Sequence, residues 1–72
     1  MKRCVVAVSS VTDAIRIERL LDNNSIKTEL QKLDPSLTEK GCTYGIEIPC
    51  SRTTATNKVL QHTDINYKIL VI

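Results

Sequence analysis

The pattern of apolar and polar positions begins with a strand. Residues 3–8 are rich in β-branched side chains and are followed by Ser9-Ser10, which is typical of a strand and the turn after it. Because both faces of this segment are largely apolar, we expect it in the middle of a sheet.

A helix is predicted next. Ser10 followed by Asp13 resembles a capping box, with Asp in the position that Glu usually takes. An apolar face then recurs at the helical period, and it consists of Ala14, Ile17 and Leu21. The polar run at 23–25 ends the helix.

The rest of the chain predicts two strands, a second helix and a last strand. Residues 26–33 alternate as a half-exposed edge strand does, and Asp34-Pro35 ends them before a polar loop to Gly41. A third strand is predicted at 43–48, and its Tyr44, Ile46 and Ile48 share one face. A Thr-rich helix at 51–62 has Ala55, Val59 and Leu60 on its buried side, and the last strand is 66–72.

The element order β-α-β-β-α-β predicts the fold class. Two βαβ halves joined by a hairpin most often form a ferredoxin-like α+β sandwich. Its four-stranded antiparallel sheet carries two helices on one face. We therefore expect residues 1–72 to form a single ferredoxin-like domain.

Composition and charge exclude several classes of partner. Ten Lys and Arg against eight Asp and Glu give a net charge of +2, the signs are interleaved, and two tyrosines are the only aromatic residues. This pattern offers neither a basic stripe nor a base-stacking platform, so we expect no nucleic acid. No apolar stretch approaches the roughly 18 residues of a membrane span, so we expect a cytoplasmic protein that binds no membrane.

Three cysteines in a cytoplasmic chain are expected as thiols. Cys4 alternates with Val6 and Val8, which predicts a packed core position. Cys50 could neighbour Cys4 across the first and third strands, but we expect no stable disulfide there. Cys42 lies about 26 Å from Cys50 at about 3.3 Å per strand residue, too far for a bridge.

Neither a metal nor a cofactor is predicted. The chain has one histidine, His62, and no Cys-x-x-Cys pair, so a ligand set is lacking. With Gly41 and Gly45 as the only glycines, there is no glycine-rich phosphate loop.

Cys42 is the candidate chemical centre. In the predicted topology, the start of the third strand lies beside the end of the first, near Ser9, Ser10 and the positive end of the first helix. Such a position stabilises a thiolate, with pKa values of roughly 3.5–7.5 in comparable sites against about 8.5 for a free cysteine. The candidate binding residues around Cys42 are Ser9, Ser10, Lys40, Gly41 and Gly45. The competing interpretation is that Cys42 is a small apolar residue of the strand, since it shares parity with Tyr44.

A family resemblance rests on two stretches of sequence. These are Ser10-x-x-Asp13-Ala14-x-x-x-Glu18-x-x-Leu21 and, after a strand, Leu33-Asp34-Pro35-Ser36-Leu37 with Gly41-Cys42-Thr43-Tyr44-Gly45-Ile46. Across residues 3–49 the chain resembles the selenium/sulfur carrier-like family of small bacterial proteins. The resemblance implies that Cys42 holds a persulfide or perselenide. The family's cysteine usually precedes a glycine, whereas here Thr43 and Tyr44 separate Cys42 from Gly45.

Two functions follow as hypotheses. In the first, Cys42 accepts sulfur or selenium from a donor protein such as a cysteine desulfurase and passes it to an acceptor protein. In the second, the chain is a non-catalytic protein-interaction or small-anion-binding module, including a homodimer formed through an edge strand or the open sheet face. A carrier is favoured over an autonomous enzyme, because no general base is visible beside the thiol.

Overall fold

The computed structural model describes residues 3–33 and 44–71, which form an α+β fold. Four strands and two helices follow one another in the predicted order. They are β1 (Cys4–Val8), α1 (Val11–Asn23), β2 (Glu29–Lys32), β3 (Tyr44–Ile48), α2 (Thr53–Leu60) and β4 (Lys68–Val71), with a 3₁₀ turn at Cys50–Arg52 before α2.

The four strands make one antiparallel sheet in the order β2-β3-β1-β4. All five residues of β1 are buried, as expected of a strand with a neighbour on each side. The predictions of a central first strand and an edge second strand are therefore confirmed. The register pairs Cys4 with Ile48 at one end of the β1–β3 ladder and Val8 with Tyr44 at the other.

The main core lies between the sheet and the two helices. Ala14, Ile17 and Leu21 of α1 are fully buried, which confirms the predicted helical face. They share one apolar cluster with Leu60 of α2 and with alternate residues of β1, namely Cys4, Val6 and Val8. A smaller cluster on the opposite sheet face contains Val5, Ala7 and Leu33.

β2 begins at Glu29, three residues later than the sequence predicts. Ser25 has a left-handed backbone with φ of 60°, and the amide of Ile26 donates to the Leu21 carbonyl at 2.9 Å. Ile26 is consequently folded back under α1 and buried in the main core. The apolar side chain of Ile26 therefore serves the core and is not part of the strand.

α2 is shorter than the predicted 51–62, and its predicted buried side is confirmed, with Leu60 fully buried and Ala55 and Val59 packed against the core. The 3₁₀ turn occupies its predicted start. Its buried residues are Thr56 and Leu60, one helical turn apart, whereas Ala55 and Val59 are half-buried. Thr56 is completely buried, and its hydroxyl is the one buried side-chain oxygen or nitrogen without a hydrogen-bond partner across 3–33 and 44–71.

A disulfide joins Cys4 and Cys50, so the expectation that all the cysteines are thiols is wrong for this pair. Cys4 is paired with Ile48, and Cys50 follows two residues later, which brings the two Cα atoms to 5.2 Å. That separation lies within the range that disulfides require. Cys4 is 4% exposed, which confirms its predicted core position.

The two helices of residues 3–33 and 44–71 are 13 and 8 residues long. Within those ranges, neither α1 nor α2 is long and apolar enough to cross a membrane.

Candidate functional site

The predicted site divides between residues that the structure describes and residues that it does not. Ser9, Ser10 and Gly45 belong to the described ranges. Cys42, Lys40 and Gly41 lie outside the described residues. What the structure describes of the predicted site is therefore the region around Ser10 and Tyr44, where Cys42 was predicted to lie.

Three strand ends meet at one end of the sheet. Tyr44, the first residue of β3, is paired with Val8 at the end of β1 and with Lys32 at the end of β2. α1 begins three residues after Val8, at Val11. The helix N-terminus, the end of β1 and the start of β3 are thus neighbours, as the topology predicted.

Ser10 is the N-cap of α1, which confirms its predicted capping role. Its backbone is extended, and its Oγ accepts hydrogen bonds from the amides of Thr12 at 3.2 Å and Asp13 at 3.5 Å. The Ala14 amide donates to the Ser10 carbonyl at 3.0 Å. Several first-turn donors are therefore engaged within the helix, and its positive end acts on neighbouring groups mainly through the dipole.

Charged side chains modify the field at this helix end. Asp13 lies in the first turn, with its carboxylate 3.8 Å from the Arg16 guanidinium. Arg16 also reaches Asp64 at 3.5 Å. The negative Asp13 carboxylate offsets part of the positive potential at the helix N-terminus. The positive Arg16 guanidinium restores part of it.

Gly45 is buried in β3 on the sheet face opposite the helices, between Ala7 and Gln31 of the adjacent strands. A Cβ atom there would lie 2.6 Å from Val5 Cγ1 and 2.8 Å from Leu33 Cδ2. The close packing of these side chains accounts for the glycine. Its role in binding stays a prediction.

Sequence analysis missed a polar cluster on that same sheet face. Arg3 donates hydrogen bonds to Glu47 and, at 2.9 Å, to Gln31. The hydrogen bond from Arg3 lowers the pKa of the Glu47 carboxyl and raises the pKa of Arg3. Glu29 is paired directly with Glu47, so Arg3 also offsets the repulsion between two neighbouring carboxylates. The strand alternation puts Glu29, Gln31 and Glu47 on one face, but only the register brings them beside Arg3.

This polar cluster borders an open groove at the end of the sheet remote from Tyr44. The groove is lined by Lys27, Thr28, Glu29, Glu47, Ile48 and Pro49. In the described part of the chain, no three His, Cys, Asp or Glu side chains lie together as metal ligands would.

These features define the class: an α+β protein with a four-stranded antiparallel sheet, in which a capped helix starts near the first residue of β3. A family model described as "Putative Se/S carrier protein-like" matches residues 3–72. The chain belongs to this family. The resemblance seen over residues 3–49 is thereby confirmed and extends through α2 and β4. No curated protein and no solved structure matches the chain.

Proposed function

We propose that this protein carries sulfur or selenium as a persulfide or perselenide on Cys42. Membership of the selenium/sulfur carrier-like family supports the chemistry. The observation that supports Cys42 as the carrying residue is the pairing of Val8 with Tyr44. It fixes where the chain enters β3, two residues after Cys42.

The β1–β3 register indicates which part of the fold Cys42 would face. Each step backward along β3 is matched by a step forward along β1, so Cys42 would lie opposite Ser10 if this register continued for two residues beyond Tyr44. Two peptide units span at most about 7.6 Å, which limits the separation of Cys42 from Tyr44 in any conformation. Both arguments favour a cysteine near the positive end of α1.

The helix end suits the transfer chemistry because it favours a thiolate. The Cys42 thiolate attacks the outer sulfur of a donor persulfide, forms the new S–S bond and releases the donor's cysteine as a thiolate. In the second step an acceptor thiolate attacks that same outer sulfur, and Cys42 leaves as a thiolate. A stabilised thiolate assists Cys42 as the leaving group in this second step. Lys40, two residues away in sequence, would add positive charge.

The position of the glycine relative to Cys42 differs from the usual family pattern, in which the glycine directly follows the cysteine. The residue directly before Gly45 is Tyr44, and Cys42 follows Gly41 instead of preceding a glycine. Since packing against Val5 and Leu33 accounts for Gly45, Gly41 is the glycine that would adapt the backbone around Cys42.

Sulfur loading tests the carrier function. The protein is incubated with a cysteine desulfurase and cysteine, and its intact mass is measured without reductant. We expect a gain of one sulfur atom in the wild type and in a control in which Cys4 and Cys50 are both replaced by Ala. We expect no gain in Cys42→Ser. A gain that persists in Cys42→Ser, or no gain in any variant, contradicts the proposal. Repeating the assay with a selenium donor distinguishes the two cargoes.

A second candidate function, a non-catalytic interaction module, is supported by exposed apolar residues on α1. Val11 and Ile15 are 44% and 37% exposed and lie four residues apart, on one side of the helix beside Ser10. In a carrier, this patch would contact the donor or the acceptor. In a pure interaction module, partner binding would be lost in a Val11→Ser, Ile15→Ser variant and unchanged in Cys42→Ser.

We also infer that the fold is the ferredoxin-like sandwich and that the protein acts in the cytoplasm. The strand order β2-β3-β1-β4 with both helices in one core supports the fold assignment. The edge strands β2 and β4 are the surfaces through which a homodimer would form. The expected partners are a donor and an acceptor protein, with no role for nucleic acid or a membrane.

A further inference from the structure

A second sulfur-containing site lies at the other end of the β1–β3 ladder. The disulfide between Cys4 and Cys50 is located where β1 begins and β3 has ended, whereas Ser10 and Tyr44 lie at the opposite end. Its two cysteines differ in exposure: Cys4 is 4% exposed and Cys50 is exposed. An external thiol can therefore approach the bond from one side only.

The backbone around this pair is fixed by interactions other than the disulfide. Cys4 is paired with Ile48 on one side and Val71 on the other. The 3₁₀ turn that contains Cys50 is closed by the Arg52 amide donating to the Pro49 carbonyl at 2.8 Å. Thr53 Oγ1 donates to the Cys50 carbonyl, also at 2.8 Å. The two thiols would consequently remain neighbours after reduction.

We propose that Cys4 and Cys50 form a one-sided thiol–disulfide exchange site, in which Cys50 alone reacts with external low-molecular-weight or protein thiols. An external thiolate attacks the Cys50 sulfur, forms a mixed disulfide and releases Cys4 as a thiolate. Cys4 then either attacks back, or a second external thiol resolves the mixed disulfide and leaves both cysteines reduced. In the oxidising direction, the Cys50 thiolate attacks an external disulfide, and Cys4 displaces the remaining external thiolate. This site is separate from the proposed carrier site and does not depend on it.

Single-cysteine variants test the asymmetry. In a Cys42→Ser background, Cys4→Ala leaves Cys50 alone and Cys50→Ala leaves Cys4 alone. The native proteins are treated with oxidised glutathione, and the rate of mixed-disulfide formation is followed by mass spectrometry. We expect Cys50 to react at least about 100-fold faster than Cys4, because a buried thiol reacts only when the structure opens locally. Equal rates, or a faster Cys4, overturn the proposal.

Further variants and measurements cover the case in which Cys4→Ala does not fold. Cys4→Val keeps an apolar side chain at the buried position and replaces Cys4→Ala in the comparison. In Cys42→Ser itself, reduced glutathione followed by rapid acid quenching should yield a mixed disulfide that maps to Cys50. A mixed disulfide on Cys4 overturns the proposal. It is also overturned if both cysteines can be alkylated in denaturant without prior reduction, because the disulfide is then not formed.

Discussion

At the scale of single residues, Gly45 shows how closely side chains from neighbouring segments pack on one face of the sheet. A methyl group at this position would meet Val5 and Leu33 at less than 3 Å. We expect Gly45→Ala to lower the free energy of unfolding by about 1–3 kcal/mol, as overpacking does. Urea unfolding followed by circular dichroism measures the loss.

Leu33→Ala supplies the matched control for Gly45. Because it removes one of the two close neighbours, Gly45→Ala should cost less in the Leu33→Ala background than in the wild type. An equal or larger cost would contradict the packing explanation. A change in the pH profile of Cys42 alkylation in Gly45→Ala would indicate that the glycine also serves the site.

Thr56 is a second residue whose environment makes a clear prediction. Its hydroxyl is buried and has no hydrogen-bond partner among the described residues, which costs free energy that an apolar side chain of the same shape would not. We expect Thr56→Val to raise the free energy of unfolding by about 1 kcal/mol.

Thr54 is the control for Thr56, because it lies in the same helix but is exposed. Thr54→Val should change stability by less than about 0.5 kcal/mol. A Thr56→Val protein that is no more stable than the wild type would show that the hydroxyl does find a partner in solution.

At the scale of elements, the start of α1 depends on the side chain of Ser10. Since the Ser10 Oγ accepts hydrogen bonds from two first-turn amides, Ser10→Ala should lower the free energy of unfolding by about 1 kcal/mol. Ser10→Asp should keep most of the wild-type stability, because an aspartate can also cap the helix. Thermal unfolding of the variants measures the difference. Ser9, exposed and one residue earlier, is the matched control, and an equal loss in Ser9→Ala would argue against a specific cap.

The elements also show which features the sequence could predict. The strong periodicity of α1 and the apolar run of β1 predicted both elements nearly to the residue, because packing and pattern agree there. β2 was predicted too long, since a left-handed Ser25 turns an apparent strand residue, Ile26, into core packing. The burial of Thr56 was missed because helix pattern analysis assigns a threonine to the surface.

The candidate site was predictable only in part for a similar reason. Capping by Ser10 follows from local sequence, and the pairing of β1 with β3 follows from the topology. The disulfide between Cys4 and Cys50 depends on the register and on the turn after Pro49, and no local pattern encodes either one.

At the scale of the whole molecule, the β1–β3 ladder separates the two sulfur sites that we propose. The start of the capped helix and the first residue of β3 lie at one end, and the disulfide lies at the other. The ladder has five residue pairs from Cys4–Ile48 to Val8–Tyr44, so the two sites should react independently. Because a disulfide joins Cys4 to Cys50, Cys42 is the one cysteine of the sequence outside that bond.

That circumstance allows the Cys42 thiol to be titrated directly. The unreduced protein is treated with iodoacetamide across a pH series, with Cys42→Ser as the control for reaction elsewhere. If the positive end of α1 holds an accessible thiolate at Cys42, the alkylation rate should reach half its maximum near pH 7 or below, against about 8.5 for an ordinary cysteine. A half-maximal rate near pH 8.5, or a thiol that reacts only in denaturant, would contradict the account.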